Sequence, residues 1–174
     1  STFNKQTNVR LDNKYTVLDI SSLTGDLLTV GMFVALDFVW DRAKADRTEE
    51  KAIFIDECWQ LLSGAGAIGT RLAGDFVLEI FKTIRGFGGS AICASQDLND
   101  FFNLDEGRFG KGIINNSKTK IILNLEDDEA ERVQETLHLS DAETMEVTHF
   151  ERGSGLISTN NNNSVNAVFA ADLS

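Results

Sequence analysis

The apolar run Ala52-Ile53-Phe54-Ile55 stops abruptly at two acids, Asp56 and Glu57. A short apolar stretch ending this way reads as a fully buried strand of a parallel sheet. In an open α/β sheet, ligands gather outside the carboxyl ends of the strands. An aspartate there can hold Mg²⁺, directly or through water, and an adjacent glutamate can polarise an attacking water. The competing reading is local, because a helix follows and helix N-termini favour acids. A second feature comes one helix and one strand later, at Ala94-Ser95-Gln96. A glutamine just past a buried strand is well placed to sense a terminal phosphate and orient water. Ser95-Gln96-Asp97 also suits a helix cap. Asp56-Glu57 followed by Gln96, in that order, makes the hydrolytic reading the better one.

The elements that would position these residues alternate between strand and helix. Tyr15 to Ile20 reads as a first strand, and Ser22 or Thr24 can cap a helix over 25–45. Its apolar core, Leu27 to Trp40, contains Asp37 and is too short to span a bilayer, so it reads as a buried helix. The strand at 52–57 follows a charged turn. Ser63 to Thr70 is rich in Gly and Ala and reads as a loop; its Gly64-x-Gly66-x-x-Gly69 spacing matches a dinucleotide fingerprint only formally, since no strand directly precedes it. Leu72, Phe76, Ile80 and Ile84 lie at helical spacing, and Gly86, Gly88 and Gly89 end that helix. Ser90 to Ser95 reads as a second buried strand, 97–102 as a short helix and 104–111 as an exposed loop. Lys120 to Leu125 is a further strand. Asp127 or Asp128 can cap a helix over 129–139, and Ser140 with Glu143 forms a capping box for another. Gly155 to Phe169 reads as two strands joined through a turn at 160–163. Strands separated by helical crossovers predict an α/β fold with a mainly parallel sheet flanked by helices.

Composition narrows the function classes. The 174 residues carry 16 Lys and Arg against 27 Asp and Glu, a net charge of -11. Phosphate backbones are held by Lys and Arg, so general electrostatic wrapping of nucleic acid is disfavoured, as is an anionic membrane surface. The two cysteines, Cys58 and Cys93, sit in apolar runs. They are too few for a disulfide framework or a zinc site, and buried reduced thiols are expected, as in a reducing compartment. His138 and His149 have no Cys or His at ligand spacing.

With these residues in view, Ile55-Asp56-Glu57-Cys58-Trp59-Gln60-Leu61-Leu62 resembles the Asp-Glu-Ala-Trp-x-Leu-Leu block of the conjugation ATPases of type IV secretion systems, the VirB-type or TraC/TraE-type transfer ATPases. Ile84-Arg85, Gly89, Ser95-Gln96, Ser117 to Leu125 and Arg152-Gly153 fall in the same order, so the resemblance runs from about Phe3 to Phe169. It implies a RecA-like P-loop NTPase core that binds ATP and Mg²⁺ and assembles as a hexamer. Such a motor energises pilus assembly and DNA transfer from the cytoplasmic face of the inner membrane, alongside other secretion components and a coupling protein. Carried over by position, Asp56 serves Mg²⁺, Glu57 activates water and Gln96 senses the γ-phosphate. Arg85 and Arg152 are candidates for charge stabilisation at a subunit boundary, against the plain reading of solvated arginines. Two departures stand out: Cys58 replaces the block's Ala, and Gly86 follows Arg85 where a second basic residue is common.

The sequence contains no Gly-x4-Gly-Lys-Ser/Thr phosphate loop; Gly107 to Gly112 has the wrong spacing and no hydroxyl after Lys111. Residues 1–174 therefore read as the C-terminal part of a motor domain, beginning after that loop and weak in ATP binding alone. In RecA-like sheets the loop's strand lies between the strand preceding Gln96 and the strand at 120–125. Those two strands are expected to close the gap by pairing directly, by pairing with another strand of the chain, or by self-association. The alternatives are another hexameric DNA translocase of FtsK/HerA or coupling-protein type, and a non-catalytic interaction module that kept the fold.

Overall fold

The computed structural model describes residues 12–63, 66–159 and 166–172. A long helix, α1 (Asp26–Ala45), leads into strand β1 (Lys51–Asp56). Helices α2 (Cys58–Ser63) and α3 (Gly66–Thr83) follow, and a 3-10 turn over Ile84–Phe87 leads into strand β2 (Gly89–Ala94). β1 and β2 pair in parallel, from Lys51 opposite Gly89 to Asp56 opposite Ala94. The remaining helices are α4 (Leu98–Asn103), α5 (Arg108–Asn116), α6 (Asp127–Leu137) and α7 (Asp141–Val147). Strands β3 (Thr119–Ile122), β4 (Ser154–Thr159) and β5 (Asn166–Ala170) make a separate antiparallel sheet in the order β3-β4-β5. The α/β class with a parallel pair packed on helices is as expected, and the antiparallel pairing arises where β4 and β5 form the predicted final strands.

The core forms where apolar periodicities converge. Met32, Leu36 and Trp40 on α1, Ile53 and Ile55 on β1, and Val77, Ile80 and Ile84 are all buried. The Trp40 ring meets Phe87 edge-on at 5.5 Å, a favoured aromatic geometry. The start of β1 is anchored twice. The Lys51 backbone N–H donates to the Gly88 carbonyl at 3.3 Å, and the Lys51 ammonium donates to the Ala43 and Asp46 carbonyls at the end of α1. Gly88 has φ 75, and a Cβ there would lie 2.8 Å from the Arg47 carbonyl oxygen, so only glycine fits.

Several expectations are corrected. Residues 15–20 form no strand, and Tyr15 is 82% exposed; β-branched composition does not supply the partner edge that a strand needs. α1 starts at Gly25 without a side-chain cap, so neither Ser22 nor Thr24 serves. Its outer stripe, Leu27, Val30 and Val34, is exposed, so the helix is buried on one side only. β1 and β2 are likewise covered on one face, with Phe54 73% exposed.

The small-residue stretch is helical from Gly66 onward, so Gly66 and Gly69 of the formal fingerprint lie in α3 and not in a loop; Gly64 lies outside the described residues. Residues 104–111 form a 3-10 turn and the first turn of α5, with Phe109 buried. The glycines that hide α5 in the sequence permit close packing. A Cβ on Gly110 would lie 3.0 Å from the Phe101 carbonyl oxygen, and one on Gly112 would collide with Leu78. The cap of α6 is Glu126, in a capping box with Glu129, one residue before the predicted Asp127. Ser140 caps α7, its hydroxyl oxygen accepting from the Glu143 N–H at 3.2 Å, but the reciprocal half of the predicted box is missing: the Glu143 carboxylate accepts from the Ser140 hydroxyl at 3.0 Å. The turn at 160–163 lies outside the described residues.

Among the described residues β2 pairs only with β1, and β3 pairs on one side only, with β4. Direct pairing of β2 with β3 does not occur, and no other strand among the described residues stands between them; residues 15–20 pair with neither. Among the described residues, no helix is long and apolar enough to cross a membrane.

Candidate functional site

β1 carries Asp56 and Glu57 to the carboxyl edge of the parallel pair, where Asp56 stands opposite Ala94. Asp56 is exposed. Glu57 turns the chain from β1 into α2, with φ 48, a left-handed conformation for a non-glycine residue. That geometry costs about 1–2 kcal/mol, and such strain concentrates at functional sites. The turn is held by the Gln60 N–H donating to the Glu57 carbonyl at 2.9 Å.

Two donors reach the Glu57 carboxylate. Trp59 Nε1 donates to Oε2 at 2.8 Å, and the Gln96 backbone N–H donates to the same oxygen at 3.4 Å. The second bond joins residues 39 apart in sequence. Glu57 and Gln96, predicted separately from two strand ends, are thus brought together. Helix capping in this segment falls to the neighbouring residue: Asp97 Oδ1 accepts from the Asp100 N–H at 3.0 Å. Gln96 itself stays exposed and is not consumed by the cap. Sequence reading missed the role of Trp59, although an indole two residues past the glutamate, in the turn that starts α2, was the available signal.

The two arginines lie elsewhere. Arg85 is exposed in the 3-10 turn before β2. That turn leads into the amino end of the strand, a full strand length of about 17 Å from the edge that holds Glu57. Arg152 is exposed in the turn before β4, near the end of β3, where Ile122 stands opposite Leu156. Neither enters an ion pair among the described residues.

The expectation of two separate reduced thiols is overturned. Cys58 and Cys93 are joined by a disulfide, with a Cα–Cα distance of 6.4 Å. Cys93 stands opposite Ile55 in the parallel register, and the turn at Glu57 swings Cys58 back over β2. Their separation of 35 residues carried no hint of this, because strand register is a tertiary property.

A cavity of about 590 Å³ opens beside Trp59, lined also by Thr70, Asp100, Asn103, Asp105 and Glu106. Its acidic rim repels a polyphosphate, and Asp56, Glu57 and Gln96 do not line it. The strand ends that carry Asp56, Glu57 and Gln96 are therefore separate from this cavity. No cluster of three or more His, Cys, Asp or Glu arranged for a metal occurs among the described residues. One exposed carboxylate, Asp56, is the donor available at the edge. This suits Mg²⁺ carried on a nucleotide, which takes one or two carboxylates with phosphates and waters supplying the rest.

Residues 2–169 match the family model of the TraG P-loop domain. The fold is similar to the solved structure of VirB4 of Thermoanaerobacter pseudethanolicus, with a TM-score of 0.76 and 24% sequence identity over 89% of this chain. The chain spans 39% of the length of that structure. No curated protein matches the sequence.

Proposed function

The chain belongs to the family of the TraG P-loop domain, and from that membership we propose that it forms the strand-end half of an ATP-hydrolysing motor in a type IV secretion system. The observation that carries this reading is the meeting of Glu57 with Gln96 at the carboxyl edge of a parallel pair. In this role Asp56 would hold the Mg²⁺ of Mg-ATP, which when bound would supply charge neutralisation at the phosphates. Glu57 would accept a proton from the attacking water, and Gln96 would orient that water. The strain at Glu57 and its bond from Trp59 fix where its carboxylate can point.

The phosphate loop has no counterpart in these 174 residues. Among the described residues β2 and β3 each pair on one side only, which is compatible with a further strand, and the reading assigns the loop and its strand to another part of the same protein. Arg85 and Arg152 are exposed and contact neither Glu57 nor Gln96, which suits a role towards a neighbouring subunit of a hexamer. Other secretion components, a coupling protein and transferred DNA are the partners this reading carries, with the motor at the cytoplasmic face of the inner membrane.

In the intact protein, Glu57→Gln should lower Mg²⁺-dependent ATP turnover by about 10²–10⁴-fold while nucleotide binding persists. Unchanged turnover would reject the role of Glu57, and absent turnover in both proteins would favour the non-catalytic interaction module. The chain by itself should bind ATP weakly or not at all. Mg²⁺-dependent turnover by the chain alone, lost in Glu57→Gln, would overturn the assignment of the loop elsewhere.

A further inference from the structure

We infer that Cys58 and Cys93 are a reversible redox site that clamps the Glu57 turn to the strand leading to Gln96. Cys58 directly follows Glu57 and opens α2, while Cys93 lies on β2 three residues before Gln96. The disulfide therefore joins the two segments whose ends meet at the Glu57 carboxylate. Glu57, at φ 48, is held between the last residue of β1 on one side and the bridge on the other. These are the only cysteines in the sequence, so each has one possible partner within the chain.

Their exposures differ in a way that suits exchange. Cys58 is buried, whereas Cys93 is half-buried and the more accessible of the two. In the oxidising direction, the Cys93 thiolate attacks a low-molecular-weight disulfide such as oxidised glutathione and expels one thiolate. The Cys58 thiolate then attacks the Cys93 sulfur of the mixed disulfide and expels the second. Two electrons pass from the cysteine pair to the small disulfide, and the two cysteine protons end on the two released thiols. A dithiol runs the sequence backwards.

The mechanical consequence follows from the connectivity. With the bridge closed, the first turn of α2 cannot move away from β2, and the Glu57 turn stays beside the strand that leads to Gln96. With the bridge open, the strained turn at Glu57 is held only by hydrogen bonds. A motor that opens and closes around a nucleotide must move such segments relative to one another, so oxidation slows it. The effect on turnover rests on the hydrolytic reading of Glu57, whereas the redox site itself does not.

The test uses the intact protein in a Trp40→Phe background, so that Trp59, which donates to Glu57, is the tryptophan of this chain that reports by fluorescence. The protein is equilibrated with reduced and oxidised glutathione, and its thiols are counted by alkylation and mass measurement. The expected results are a Cys58–Cys93 disulfide in the oxidising buffer, a redox-dependent shift in Trp59 emission, and turnover lowered about tenfold or more and restored by dithiothreitol. Cys58→Ala and Cys93→Ala should each lose the redox response and keep the reduced rate. Failure to form the disulfide overturns the inference, as does equal turnover in verified oxidised and reduced protein. A Trp59 response with no turnover in either state supports the redox site and instead rejects the hydrolytic reading.

Discussion

β1 and β2 run parallel with an apolar face bare, whereas β3, β4 and β5 run antiparallel behind two well-capped helices. An antiparallel sheet with one face towards water is ordinary, but a parallel pair is normally covered on both faces. Phe54 and Ile92, opposite each other on the bare face, are both exposed. In the antiparallel half, most local rules are met: Glu126 and Glu129 form a capping box, Ser140 caps α7, and the Leu125 N–H bonds the Val147 carbonyl at 2.9 Å, the exceptions being His138 at φ 56 and the Lys120 ammonium. In the parallel half, rules are broken at the positions assigned to chemistry. Glu57 is strained and the β2 edge lacks a second strand. Local inconsistency of this kind is expected where a sequence serves function over stability. The two halves are linked through α4 and α6, where Arg132 donates to Asn99 at 2.8 Å and to Asn103 at 3.0 Å.

This contrast can be broken by mutation. Leu156→Ala, in the centre of the antiparallel sheet, should destabilise the chain by about 2–5 kcal/mol in urea melts, since Leu156 is fully buried. A loss under about 1 kcal/mol would deny that this half is the scaffold. At the strained turn, Glu57→Gly and Glu57→Ala both remove the carboxylate, but only glycine relieves the backbone. Glu57→Gly should be the more stable of the two by about 1 kcal/mol, and equal melts would remove the strain argument. Ser140→Ala should lose about 1 kcal/mol through its cap, measured the same way. Phe54→Ala should change stability by no more than about 0.5 kcal/mol, despite removing the largest side chain of β1; a large loss would show that its face is covered.

A smaller effect depends on pH. Burial lowers the pKa of Lys120 below the usual lysine range, and its ammonium has no hydrogen-bond partner among the described residues. The unfolded chain therefore binds this proton more tightly than the folded one. Stability should rise as pH climbs through the lowered pKa towards the ordinary lysine range. Lys120→Met should flatten that rise and increase Tm at neutral pH; an unchanged alkaline profile would show that Lys120 is not responsible.

The legible parts of the sequence were those written in local pattern. The run ending at Asp56-Glu57, a helix through Leu72, Phe76 and Ile80 and the Ser140 cap each form where periodicity or capping chemistry places them. Gln96 beyond β2 was legible for the same reason. What escaped depends on partners distant in sequence. The extended segment 15–20 lacks an edge to pair with, α5 hides behind glycines needed for close packing, and Cys58 meets Cys93 only through strand register. The left-handed turn at Glu57 also left no signature, because the residue type argues against it.

The central claim is that Glu57 and Gln96 act as one hydrolytic unit. It is tested most directly by a double-mutant cycle of single-turnover ATP hydrolysis in the intact protein, with Glu57→Gln, Gln96→Ala and both together. If the two residues serve one water, the double variant should be about as slow as Glu57→Gln alone. Losses that simply multiply would show that the two residues work independently, and the account of the site would fail.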